Sequence, residues 1–318
     1  MARPHRTLIR LVVAGAAALG IATAAAPALA GPAISTLPYA GGSTAGAGEH
    51  ADVAGVRNVG DLRFFCTGTL VSPDWVLTAA HCVDGGRVPA QTEVVVGDTD
   101  LGTAADPAET RAVDRIVVHH RWGGDAGDRY DVAMLRLTVP STLPAVTLGL
   151  PGDTALSRGV RRCVRSNMFG TNAYVRLWSC VATTGTGVGW GRTPSTGGNG
   201  SLRLQRASAR IYAIGKTQFW RAKSGACPGD SGGPLLVTDD AGRTIQIGVA
   251  SYISHGGGWL DWLVGGKCDR KGNDYYSNVA GGELLRWVRT RISPPPPPPG
   301  PPTCVNPTKP ICQQDDLL

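Results

Sequence analysis

The chain has 318 residues, of which 42% are hydrophobic and only 17% charged, with 44 glycines and a formal charge of +7. That charge is too mild, and the basic residues too little interleaved with aromatics, for a nucleic-acid surface. The glycine content suits short strands and tight turns better than long helices.

In chain order, residues 1–30 read as a secretion signal. Arg3, Arg6 and Arg10 form its basic start and Leu11 to Ala26 its apolar run. Ala28-Leu29-Ala30 supplies the small residues before a cut at Gly31. The apolar run is short and alanine-rich for a membrane span, so no membrane anchor is expected. Losing three arginines and no acids brings the formal charge from +7 to +4. Secretion fits the eight cysteines, an even number suited to disulfides in an oxidising compartment, with no metal-ligand clustering of His and Cys. The Ala/Gly/Arg-rich usage points to a secreted protein of a high-GC bacterium.

A core spanning about 39–292 is long enough for two small barrels around one cleft. Thr92 to Gly97, Asp114 to His119 and Ile245 to Ala250 are β-branched runs bounded by turn residues, and predict strands. Glu283 to Ile292 has apolar residues at helical spacing, predicting a packing helix. Residues 293–302 hold Pro294 to Pro299 and Pro301-Pro302, a stiff polyproline spacer. The tail, 303–318, is too short for a core; it either docks a protein or cell-wall partner or is a remnant.

Three short strings carry chemistry. In Cys227-Pro228-Gly229-Asp230-Ser231-Gly232-Gly233-Pro234 a serine stands between glycines, so substrate can approach the backbone closely. The N–H groups of Gly229 and Ser231 can then face a developing oxyanion. Alone, the string also fits a tight turn. Leu77-Thr78-Ala79-Ala80-His81-Cys82 and Tyr130-Asp131-Val132-Ala133-Met134-Leu135 supply what a serine nucleophile needs, a base and a carboxylate to hold that base in one tautomer. Singly, His81 fits a core histidine and Asp131 a surface acid. Together, in the order His81, Asp131, Ser231, these motifs resemble those of the chymotrypsin/trypsin-like serine endopeptidases, from about Tyr39 to Ile292.

The resemblance implies an all-β fold of two antiparallel six-stranded β-barrels with a C-terminal α-helix. It implies peptide-bond hydrolysis through an acyl-enzyme, a protein or peptide substrate and no cofactor or metal. Cys66 and Cys82 match the family bridge beside the histidine, and Cys227 and Cys268 the bridge across the substrate pocket. Cys163 and Cys180 fit neither family position and are left to bridge each other, as are Cys304 and Cys312 in the tail. Gly189-Trp190-Gly191 resembles a family segment opening the second barrel, read as a turn around one buried aromatic rather than a site.

Tyr39-Ala40-Gly41-Gly42 stands where the family frees a new N-terminus to pair with the acid before the nucleophile, here Asp230. Tyr39-Ala40 after Pro38 departs from the usual Ile-Val. Residues 31–38 are then a short propeptide, or a signal-cut enzyme arranges Asp230 otherwise. In the pocket, Gly225 replaces the acid of trypsin-like enzymes, implying a neutral site. Asp274 stands where the family has glycine, either as a pocket acid for Arg or Lys or as an exposed loop acid. Ser251-Tyr252-Ile253 matches the strand that binds substrate backbone, with Ile253 narrowing the mouth. Trp259 and Trp262 line the cleft or cover the barrel. Rivals to the enzyme are a catalytically silent binding protein and a partner-activated zymogen.

Overall fold

The alternation of β-branched runs with Gly- and Asp-rich turns produces fourteen strands among the described residues of the computed structural model. It describes residues 42–101, 108–125, 129–149, 183–193, 200–212, 219–239, 241–254 and 273–292. The signal, Tyr39, Cys163, Cys180, Trp259, Trp262, Cys268, the spacer and the tail with Cys304 and Cys312 lie outside the described residues.

In chain order the strands are β1 (Ser43–Thr44), β2 (Val53–Asn58), β3 (Cys66–Ser72), β4 (Trp75–Thr78), β5 (Thr92–Val96), β6 (Glu109–Val118) and β7 (Ala133–Leu137). There follow β8 (Thr147–Leu148), β9 (Thr183–Gly189), β10 (Gln205–Tyr212), β11 (Phe219–Lys223), β12 (Pro234–Thr238), β13 (Thr244–Ser254) and β14 (Asn273–Asn278), then helix α1 (Gly282–Ile292). β2-β3-β4-β7-β6-β5 close into an antiparallel barrel. The path β10-β11-β14-β13-β12-β9 closes into a second six-stranded barrel because β9 pairs back onto β10. β1 extends the second sheet at β10, and β8 lies parallel to β13. This is the chymotrypsin-like architecture.

Barrels of this size are filled by side chains. Val53, Val56, Leu70, Val76, Leu77, Val94, Val96, Met134 and Leu135 are fully buried within the first. Each such aliphatic contributes about 1.5–3 kcal/mol relative to exposure. Leu235, Ile245, Ile247 and Tyr276 do the same in the second. α1 buries Leu284, Leu285, Trp287 and Val288 as one stripe and leaves Arg286 and Arg289 outside. β6 starts earlier than the run Asp114–His119 because Glu109–Ala112 pairs with β5, using charged residues that no apolar alternation announces.

Candidate active site

His81 sits in a single 3-10 turn, Ala80–Cys82, at the end of β4. Two features hold that turn. Cys82 is bridged to Cys66 at the start of β3, and Thr78 Oγ1 donates to Thr67 O at 2.8 Å. Asp131 enters from the turn before β7 and is completely buried. Its Oδ1 accepts the His81 amide at 2.9 Å, and its Oδ2 lies 2.8 Å from His81 Nδ1. Ser251 Oγ donates to the same Oδ2 at 2.6 Å, and Ser277 Oγ donates to the Asp131 carbonyl at 3.1 Å. A buried carboxylate is tolerated only when its lone pairs are satisfied, and three donors meet this one. A carboxylate facing Nδ1 favours the tautomer with the proton there, which leaves Nε2 as an acceptor toward the cleft.

Ser231 is carried by a turn that only glycines can make. Gly229 and Gly232 have φ of +102° and +84°, a region costly for residues with a Cβ. A Cβ on Gly232 would also stand 2.1 Å from Thr78 Oγ1 and 2.2 Å from Thr67 O. The turn is thereby pressed against the strands that lead to His81. Thr67 N donates to Ser231 O at 2.8 Å, and Thr67 Oγ1 donates to Gly229 O at 2.8 Å. On the other side Gly232 N donates to Ala250 O at 2.8 Å. Among the described residues the amides of Gly229 and Ser231 donate to no protein acceptor, and no hydrogen bond joins Ser231 Oγ to His81. Such bonds are often long without substrate.

Asp230 points inward. Gly191 N donates to its Oδ1 at 2.7 Å and Cys227 N to its Oδ2 at 2.8 Å. Burial, with the negative Asp274 nearby, pushes its carboxyl up to about 7. Among the described residues no cation is ion-paired with it; Tyr39 lies outside them. The Gly189-Trp190-Gly191 segment does more than bury an aromatic. A Cβ on Gly189 or Gly191 would stand 2.3 or 2.4 Å from the Asp230 carboxyl, so these glycines admit the acid.

Beside Ser231 a pocket of only about 20 Å³ is lined by Ala226, Ser251, Tyr252, Ile253, Asp274 and Tyr276, among others. Ile253 and Asp274 are register partners across β13 and β14, so both flank it. Asp274 is buried rather than an exposed loop acid. Its Oδ2 accepts Ser224 N, Ser224 Oγ and Gly225 N at 2.7, 2.6 and 2.9 Å, and Ser224 Oγ is 2.8 Å from Tyr276 OH. Gly225 does not line the pocket; its part is that amide. Cys227 is disulfide-bonded, and its expected partner Cys268 lies outside the described residues. A larger groove of about 560 Å³, bordered by Ser43, His50, Thr186, Arg206 and Val237, contains none of His81, Asp131 or Ser231.

Sequence reading missed Thr67, Ser224 and Ser277, whose hydroxyls knit these pieces together. Nothing marks them in the sequence, because each bonds to a group 50 or more residues away. Cys66, His81 and Cys82 lie close enough to suggest a metal site, but both sulfurs are in the disulfide, and thiolate is the ligand form.

Comparison with known proteins places the chain in a family. The family model described as Trypsin matches residues 39–260. Chymotrypsin-like elastase family member 1 of Macaca fascicularis is 33% identical over 60% of this chain and 69% of its own length. The Homo sapiens protein of that name is 32% identical over 63% and 75%, and that of Canis lupus familiaris 31% over 59% and 70%. With the two-barrel fold and a Trypsin match over most of its length, the chain belongs to the trypsin family of serine endopeptidases.

Proposed function

We propose that this endopeptidase is secreted and cuts peptide bonds through His81, Asp131 and Ser231. Ser231 Oγ attacks the scissile carbonyl carbon while its proton passes to His81 Nε2. The oxyanion takes the unoccupied amides of Gly229 and Ser231. His81 then returns the proton to the leaving amine, and water, deprotonated by the same nitrogen, releases the acyl-enzyme. Asp131 holds His81 in the required tautomer throughout. No cofactor enters these steps. The observation that carries the reading is the 2.8 Å approach of His81 Nδ1 to Asp131 Oδ2, beside a serine flanked by two undonated amides. Secretion rests on the signal in residues 1–30.

The pocket supports a small, uncharged residue before the cut. Ile253 and Asp274 leave about 20 Å³, roughly the space of one water, and three protein donors already occupy Asp274 Oδ2. The relatives named elastases are in keeping with this. A partner- or cleavage-activated precursor is the second reading, favoured by an Asp230 that meets no cation among the described residues.

The test is proteolysis by the purified protein and its Ser231→Ala variant, with a serine-directed phosphonate as label. Labelling and cleavage lost in the variant support the triad; unchanged proteolysis would sink it. Labelling that appears only after limited proteolysis selects the precursor reading. Labelling in neither state selects a silent binding protein.

A further inference from the structure

We propose that the turn His119 to Trp122, which follows β6, braces the His81–Asp131 pair: Trp122 positions His81 through Asp84, and His119 positions Asp131 through the residues on either side of it. This rests on the triad reading above, and makes Trp122, Asp84 and His119 positioning residues rather than catalytic ones.

His81 lies in the 3-10 turn Ala80–Cys82, whose trailing end is closed by the amides of Val83 and Asp84, both donating to Ala80 O at 2.9 Å. Next come Gly85 and Gly86, with φ of +73° and +90° and open space where a Cβ would stand. They offer no side chain to pin the turn. Asp84 does, because its Oδ2 accepts Trp122 Nε1 at 2.6 Å. Both residues are half-buried, and a bond to a charged acceptor is stronger than one between neutral groups.

The other end of the same turn touches both neighbours of Asp131. His119 N donates to Val132 O at 3.1 Å, one step past the Val118–Ala133 pair that ends the β6–β7 ladder. The His119 ring stacks on Tyr130, with centroids 4.9 Å apart and planes 9° from parallel. Val132 N in turn donates to Tyr130 O at 2.7 Å, across Asp131.

The turn itself is closed by His119. Its carbonyl accepts Trp122 N at 2.9 Å, and its Nδ1 accepts Arg121 N at 3.2 Å. That second bond needs a neutral imidazole. The charged and titratable groups facing the ring are His120, Arg121 and Tyr130, with Glu283 and Arg291 of α1; burial, then His120, lowers the imidazole to about 4. Helix α1 backs the turn, since Arg121 Nη1 donates to both Glu283 oxygens at 3.0 and 2.9 Å and the Trp287 ring lies 4.8 Å from His119. One closed turn, held from behind, thus reaches His81 and Asp131 from the same side.

The experiment measures ester hydrolysis, with kcat expressed per site titrated by the serine-directed phosphonate, so losses of folded protein cancel. Trp122→Phe keeps a ring and removes the N–H. It is expected to lower kcat about tenfold with KM unchanged, a loss that displacement of a reacting group readily causes. Asp84→Ala should match it, and the double variant should be no worse than either single one, because both break one bond. Asp84→Asn keeps an oxygen for the indole and is expected to stay within about threefold of wild type. His119→Phe keeps the stack and removes the acceptor, and should lower kcat by a similar factor with no further loss when Trp122→Phe is added. An unchanged kcat in Trp122→Phe, a change in KM alone, or losses that multiply in the double variants overturns the brace and leaves the triad standing. A wild-type protein that neither labels nor hydrolyses overturns the triad instead. In that event the brace is read by NMR from the His81 Nδ1 proton, whose exchange with solvent should quicken about fivefold in Trp122→Phe as the local structure loosens; equal exchange refutes it.

Discussion

Asp131 and Asp230 are buried to the same depth, 0% and 1% exposed, yet the protein surrounds them differently. Asp131 lies between the barrels and receives the ring and the amide of His81 and the hydroxyl of Ser251, three donors from two separate segments. Asp230 lies behind the turn that carries Ser231 and receives two backbone amides. The hydroxyl and imidazole can follow the carboxylate as charge moves. The amides only hold it in place, and burial leaves its carboxyl raised to about 7. Equal burial therefore serves different purposes: one acid faces the imidazole of His81, and the other braces a loop.

The largest effect should come from removing charge at the first site. Asp131→Asn keeps the shape and is expected to lower kcat by about 10⁴-fold, because the amide favours the wrong histidine tautomer. Steady-state kinetics check this, and a loss below tenfold would break the contrast. At the second site the expected loss is of stability. Gly191→Ala places a Cβ 2.4 Å from the Asp230 carboxyl and should cost about 1–3 kcal/mol in chemical denaturation through overpacking. An unchanged midpoint would mean that the glycine is not there for the acid. Ser251→Ala removes one of the three donors on Asp131 and is expected to lower kcat/KM about tenfold, the worth of one bond to a charged group.

The finest test is the pH dependence of thermal stability, where two groups oppose each other. Asp230 has its carboxyl raised from the ordinary 3.8 to about 7. Between those values the folded chain holds a proton that the unfolded chain releases, so stability falls as pH rises. His119 runs the other way. It is buried against His120, Tyr130 and Trp287, and desolvation, with the neighbouring His120, lowers it from 6.5 to about 4. Its contribution is present above 6.5 and is lost as pH falls toward 4. Asp230→Asn should leave a midpoint that rises from pH 4 to 6.5, and His119→Gln one that falls over the same interval. Parallel curves for the two variants would refute the opposition.

The β-rich character and the residue types offered for catalysis are legible in the residue order, while the two-barrel class and the Cys66–Cys82 bridge came through the family resemblance that those motifs carry. The signals are local or lie in motif order: β-branched runs make strands, glycines around Ser231 permit positive φ, and the strings around His81 and Asp131 keep their order. Tertiary structure alone decided what brings these strings together. His81 and Asp131 are fifty residues apart, and their approach depends on β4 pairing with β7. Asp274 read equally well as a loop acid or a pocket acid until the β13–β14 register, shifted between Ala250 and Tyr252, set it opposite Ile253. Gly191 read as a turn residue until Asp230 was found against it. The physical reason is common to all three. A strand's register and a buried acid's choice of hydrogen-bond donors are set by groups far along the chain, which no local pattern of residue types records.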